Sequence, residues 1–202
     1  MSCNDLIDDA DIKTIYESCQ FVDQANIISI CNGTDTKVSK INLVKGSNTI
    51  NRYPVERKYY RDAPLRSIEN GFGKVVENKL FVLEDNYRGK KITEKLHKKE
   101  LEIYAHNQFI EIQLDAAWNG ITHWPKLGFE FYKLDEYDYK LYTLWSTFFS
   151  ESFALEPKEK EKVLIKYTSY RSVPKKYKKG FGTWLLNNRI NKAFPMYKTI
   201  EN

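Results

Sequence analysis

The chain has 202 residues, 42% of them hydrophobic and 29% charged, with a formal net charge of +5. That balance is enough to bury a globular core and excludes a disordered chain. The modest positive charge permits an anionic ligand such as a nucleotide cofactor without requiring nucleic acid.

No apolar run approaches membrane-spanning length, and the acidic start MSCNDLIDDADIK lacks a secretion signal. The three cysteines, Cys3, Cys19 and Cys31, form no CxxC pair, and the three histidines lie far downstream. The expectation is therefore reduced thiols, no metal site, and a cytoplasmic protein with no membrane partner.

Residues 4–20 read as a helix capped by Asn4 or Asp5. Its acids Asp8, Asp9 and Asp11 suit the positive end of the helix dipole. Residues 26–31 and 36–45 read as two strands joined at Asn32-Gly33, a strong hairpin signal. Residues 49–66 carry Pro54 and Pro64 and read as a solvated edge segment. Short strands at 74–77 and 79–84 are expected to pair antiparallel. A charged amphipathic helix over 92–107 leads into a clearly alternating strand at 109–117. Residues 129–134 read as a strand and 135–153 as an aromatic helix. Pro157 opens a further helix over 158–167, and residues 170–182 form a basic loop before a last short helix at 183–192.

The segment Asn86-Tyr87-Arg88-Gly89-Lys90-Lys91-Ile92-Thr93 follows a strand and opens a helix. The first helical N–H groups lack internal partners, so this is a natural phosphate position. Gly89 permits close approach, and Arg88, Lys90, Lys91 and Lys95 add positive charge. Walker A and G-x-G-x-x-G spacings are absent.

Strand, Tyr87-Arg88-Gly89-Lys90, helix, strand and then Leu127-Gly128-Phe129-Glu130 together resemble the GNAT N-acetyltransferase superfamily over residues 75–134. The resemblance implies an α+β (α/β/α) fold. Its central sheet is mixed, mostly antiparallel and of the acyl-CoA N-acyltransferase type. Residues 1–134 form that domain, and 135–202 a helical C-terminal extension packed on it. The family loop reads Arg/Gln-x-x-Gly-x-Gly/Ala, and its backbone amides hold the pyrophosphate of acetyl-CoA. Arg88 takes the first position, Lys91 stands at the first glycine and Thr93 at Gly/Ala. A lysine keeps its N–H in such a cradle only with a negative φ. The resemblance thus implies acetyl-CoA contacts from Leu83, Arg88, Gly89, Lys90, Lys91, Ile92, Thr93 and Asn119.

Transfer of an acetyl group to an amine needs a base for the amine and an acid for the departing thiolate. Many family members use a tyrosine acid where this chain has Trp124, and an indole N–H is no proton donor. Glu84 is the candidate base, and Tyr132 and His123 are the substitute acids. The implied activity is acetyl-CoA-dependent N-acetyl transfer to an amine acceptor. Lys175, Lys176, Lys178 and Lys179 interleave with Tyr177 and offer a surface to an RNA or protein acceptor. Two alternatives stand beside this: an inactive GNAT-fold binding or regulatory module, and a nucleic-acid-binding protein working through the basic segment.

Overall fold

The computed structural model describes residues 2–117, 120–132, 135–190 and 192–201. They form two compact units, residues 1–114 with 197–202, and residues 115–196.

The first unit opens with a short 3-10 turn at Cys3–Asp5 and helix α1 at Asp9–Glu17. The helix starts later than expected because Asp8 is the cap, its carboxylate accepting the Asp11 N–H at 2.6 Å. Upstream, Asp5 instead accepts the Ser2 N–H. Strands β1 (Gln24–Asn32) and β2 (Thr36–Lys45) form the expected hairpin, and Gly33 supplies φ +70° in its turn. The two-residue β3 (Asn48–Thr49) folds back on β2.

Residues 55–64 depart from the edge-segment expectation. They form β4 (Val55–Pro64), which lies between β2 and the next strand, β5 (Phe72–Leu80). Pro54 precedes the first residue and Pro64 is the last, so neither breaks the ladder. The expected antiparallel pair over 74–84 is in fact this single strand β5, antiparallel to β4. Helix α2 (Ile92–His106) then crosses over to β6 (Glu111–Ala117), which pairs with β5 in parallel from Val75↔Glu111 to Asn78↔Leu114. The last residues of the chain return as strand β8 (Ala193–Thr199), unforeseen in sequence. The strand order in this unit is β1-β2-β4-β5-β6-β8, with β3 beside β2. The sheet is thus mixed and mostly antiparallel, as the α+β expectation has it.

Beneath α1 and α2 the core is part aromatic and part ionic. The rings of Tyr59, Tyr104 and Phe109 meet at 5.6–6.1 Å. Among them Arg57 and Glu100, each 3% exposed, are joined by two N–H donations to one carboxylate oxygen at 3.1 and 3.2 Å. The other carboxylate oxygen faces His97 Nδ1 at 3.4 Å, and Lys198 Nζ lies 3.3 Å from Nε2. An ammonium can only donate, so Nε2 accepts and Nδ1 carries the proton toward Glu100. Lys37 is also buried, donating to the Ile7 carbonyl at 2.8 Å and pairing with Asp9 at 2.9 Å.

The thiols differ from the sequence expectation. Cys3 and Cys31 are bonded as a disulfide, with their Cα atoms 5.7 Å apart, and Cys19 is a buried free thiol. A pair separated by 28 residues carries no spacing signal; the hairpin brings the end of β1 to the chain start.

The second unit holds α3 (Gly120–His123) and a 3-10 turn at Trp124–Leu127. That turn ends at Gly128, with φ +87°. Strand β7 (Glu130–Phe131), helix α4 (Asp135–Ser152) and helix α5 (Pro157–Lys166) follow. A 3-10 turn at Lys175–Tyr177, helix α6 (Phe181–Asn187) and the first residues of β8 complete it. β7 lies next to β8, and the Tyr132 N–H donates to the Pro195 carbonyl at 2.9 Å. The aromatic face of α4 forms this unit's core. Trp145 stacks on Phe149 and donates its indole N–H to the Tyr177 carbonyl at 2.8 Å, and Phe148 meets Phe181. Among the described residues no helix is long and apolar enough to cross a membrane.

Candidate functional site

Backbone hydrogen bonds fix the approach to the basic turn. After β5 the chain runs antiparallel to residues 50–52. The Arg52 N–H donates to the Val82 carbonyl and the Glu84 N–H to the Ile50 carbonyl, both at 2.9 Å, and Asn51 bridges Leu83. Asn51 is itself locked in place. Its side-chain oxygen accepts the Leu43 N–H at 2.7 Å, and its amide donates to the Tyr53 carbonyl. Glu84 is therefore not on β5 as expected. It lies one bridge beyond that strand and caps a 3-10 turn over Asp85–Tyr87. Its carboxylate is half-exposed, 3.7 Å from the Arg52 guanidinium.

The turn itself is built from two left-handed residues, Gly89 at φ +75° and Lys91 at φ +58°. Arg88 folds back over it, donating to the Leu83 carbonyl at 3.1 Å and pairing with Asp85 at 2.9 Å. Its charge is thus partly used in closing its own loop. Lys90, Lys91 and Lys95 form no ion pair among the described residues. Lys90 lies 5.0 Å from the Tyr87 ring centroid, and Lys95 5.3 Å from that of Phe21. Lys91 precedes α2 as its cap and makes no side-chain capping bond. The first-turn N–H groups, those of Ile92 and Thr93 among them, are left for an external acceptor. Ile92 is buried and anchors the helix start; Thr93 is half-buried.

Lys91, at φ +58°, does not meet the negative-φ condition for keeping its own N–H in the cradle. The resemblance places a glycine here, and the backbone keeps the glycine conformation although the residue is lysine. A non-glycine residue in this region costs about 1 kcal/mol. Lys91→Gly is accordingly expected to raise unfolding stability by about 0.5–1 kcal/mol, read by urea denaturation.

Asn78 is a residue that sequence reasoning passed over as a joint between strands. It is the last β5 residue paired with β6 and is 8% exposed. Neither its side-chain oxygen nor its nitrogen has a partner among the described residues. A buried primary amide with both functions open is rare and calls for a water or ligand partner. A lone Asn between Glu77 and Lys79 carries no sequence signal of this.

In the second unit His123 ends α3, half-buried, its ring 5.6 Å from Trp124, which in turn lies 5.3 Å from Phe129. Tyr132 follows β7 and is half-buried, its carbonyl accepting from Arg171 at 3.1 Å. Asp115, on β6, is exposed. Asn119 and Trp118 lie outside the described residues.

No family model matches the sequence, and a search of curated proteins finds no match. Solved structures do show a distant likeness. A bacterial toxin is 12% identical at a TM-score of 0.40, over 82% of this chain and 68% of that one. Nourseothricin acetyltransferase is 10% identical at 0.40, over 85% and 69%. An aminoglycoside 6'-N-acetyltransferase solved with coenzyme A is 12% identical at 0.36, over 84% and 76%. None of these likenesses is close enough to carry a substrate or a catalytic residue to this chain.

Proposed function

We propose that the protein is an acetyl-CoA-dependent N-acetyltransferase of GNAT type, acting on an amine. The observation that carries the reading is the β5–turn–α2–β6 unit. Two parallel strands flank a crossover helix whose uncapped start follows a glycine-like turn and lies among unpaired lysines.

Those residues fit the phosphates of coenzyme A. The N–H groups of Ile92 and Thr93 suit a pyrophosphate, and Lys90, Lys91 and Lys95 supply counter-charge. Asn78 presents one donor pair and one acceptor, the complement of an amide in the pantetheine arm. Leu83 contributes less than expected, because its carbonyl already accepts from Arg88. Gly89 lets the turn approach a phosphate closely. Acetyl-CoA, when bound, supplies the thioester carbonyl. In the proposed chemistry the amine nitrogen bonds to that carbon and the carbon–sulfur bond breaks. The amine proton passes to Glu84. The departing thiolate takes up a proton, and Tyr132→Phe and His123→Gln are each assayed separately for that role.

Calorimetry of the folded protein with acetyl-CoA tests the binding half. Micromolar binding is expected, and Lys90→Gln/Lys91→Gln/Lys95→Gln together should weaken it roughly 10- to 100-fold. No binding at about 1 mM acetyl-CoA would overturn the proposal. Thiol release across an amine panel tests the chemistry. Binding without turnover would favour the inactive-module reading instead.

A further inference from the structure

The second unit contains a cavity of about 840 Å³. That size matches sites for drug-sized molecules. Its walls are apolar: Ile121, Pro125, Phe129, Phe131 and Tyr170, the last two rings meeting edge to face at 5.8 Å. Its remaining lining is strongly cationic. Lys126, Arg171, Lys175, Lys176, Lys178 and Lys179 all border it, against one acid, Glu130. Of these, Arg171 is 3.8 Å from Asp138 and also holds the Tyr132 carbonyl. Lys126, Lys175, Lys176 and Lys179 make no ion pair among the described residues.

Neither half of this lining explains the other. A solubilising lysine loop needs no aromatic cavity beneath it, and a packing void needs no cationic rim. We propose that this cavity binds a compact amphipathic anion, an aromatic ring system bearing a carboxylate or phosphate. Phe131, half-buried, would receive the body edge-on, with Phe129 and Tyr170 backing it. The free lysines would pair with the head. No residue of the turn belongs to this lining, and the test does not use acetyl-CoA.

A half-open pocket with a largely apolar lining favours such a molecule over RNA. A single strand lies along a charged groove and stacks bases on exposed rings, whereas Phe129 and Tyr170 are buried. Lys178 gives the proposal a second readout. Its ammonium lies 4.2 Å from the Tyr170 ring centroid and faces Asp138 and Lys175, with Arg171 beside Asp138. Burial, reinforced by Lys175 and opposed by Asp138, brings its pKa down to about 8. An anion is held by the protonated form, so affinity should fall as pH rises through that value.

The experiment compares 2-naphthyl phosphate, 2-naphthoate, 2-naphthalenemethanol and a single-stranded RNA 12-mer by calorimetry on the full chain. Either naphthyl anion is expected to bind at least about tenfold more tightly than the neutral alcohol. Lys175→Gln/Lys176→Gln/Lys179→Gln should remove roughly that factor for the anion and leave the alcohol unchanged. Phe131→Ala, checked for folding by circular dichroism, should weaken both. Anion binding should weaken between about pH 7 and pH 9, and Lys178→Gln should flatten that dependence. Equal binding of alcohol and anion would overturn the proposal. So would no naphthyl binding at about 1 mM, or RNA binding that needs the lysines and ignores Phe131→Ala.

Discussion

Glu100→Ala is expected to cost about 3–5 kcal/mol in urea unfolding, because it leaves Arg57 buried and charged without its partner. Arg57→Ala should cost a similar amount by stranding Glu100. Arg57→Met/Glu100→Leu is expected to recover much of the loss, since two apolar groups replace two charges in an otherwise aromatic surrounding. Recovery will be incomplete, because Arg57 also donates to the Glu56 and Leu80 carbonyls at 3.1 and 3.2 Å. Single variants that lose under about 1 kcal/mol would show that the pair is not desolvated as described. The pH dependence has a fixed sign. Burial alone would raise the Glu100 carboxyl, but Arg57, with His97 assisting, holds it below the ordinary 4.5. The pair's contribution is therefore complete above that ordinary value and is lost as pH falls through the lowered one. In Arg57→Met burial instead raises the stranded Glu100 carboxyl, so its deficit against the double variant should narrow as pH falls.

Glu84→Gln is the second large effect expected, and it concerns rate. If Glu84 takes the amine proton, the isosteric amide should lower kcat roughly a hundred- to ten-thousandfold while acetyl-CoA affinity holds. Stability should change by no more than about 0.5 kcal/mol, because the side chain is half-exposed. Arg52→Gln gives the control for a merely structural role. It removes the 3.7 Å partner of Glu84 and should lower kcat far less than Glu84→Gln does. Undiminished kcat in Glu84→Gln would remove Glu84 from the chemistry.

The elements that came through from sequence are those set by local chemistry. Asn32-Gly33 marks the β1–β2 turn, the spacing of Ile92, Leu96, Ile103 and Tyr104 marks α2, and Pro157 opens α5. What failed was set by distant partners. β4 alternates Val55, Arg57 and Tyr59 inward, and an arginine in that series looks like surface until Glu100 is placed opposite it. Lys37 is disguised in the same way by the Ile7 carbonyl and Asp9. β8 is broken in appearance by Pro195, which keeps its carbonyl for Tyr132 and has no N–H to lose. The basic turn was legible as a helix start because such starts follow local rules. Its left-handed lysine was not, since lysine rarely signals that conformation. The open amide of Asn78 was invisible for the same reason as the ion pair, because only the assembled sheet decides what is buried.

Helix α2 has one further consequence. Its first turn faces the proposed phosphates, and Glu100, two turns on, is fastened to β4 through Arg57. The donors at its start are thus presented by a helix that is already anchored. A ligand arriving there meets a preorganised surface and forfeits little chain entropy in ordering it. Association need not wait on a conformational step, and differences in affinity among variants of the turn should therefore reside mainly in how fast the ligand leaves.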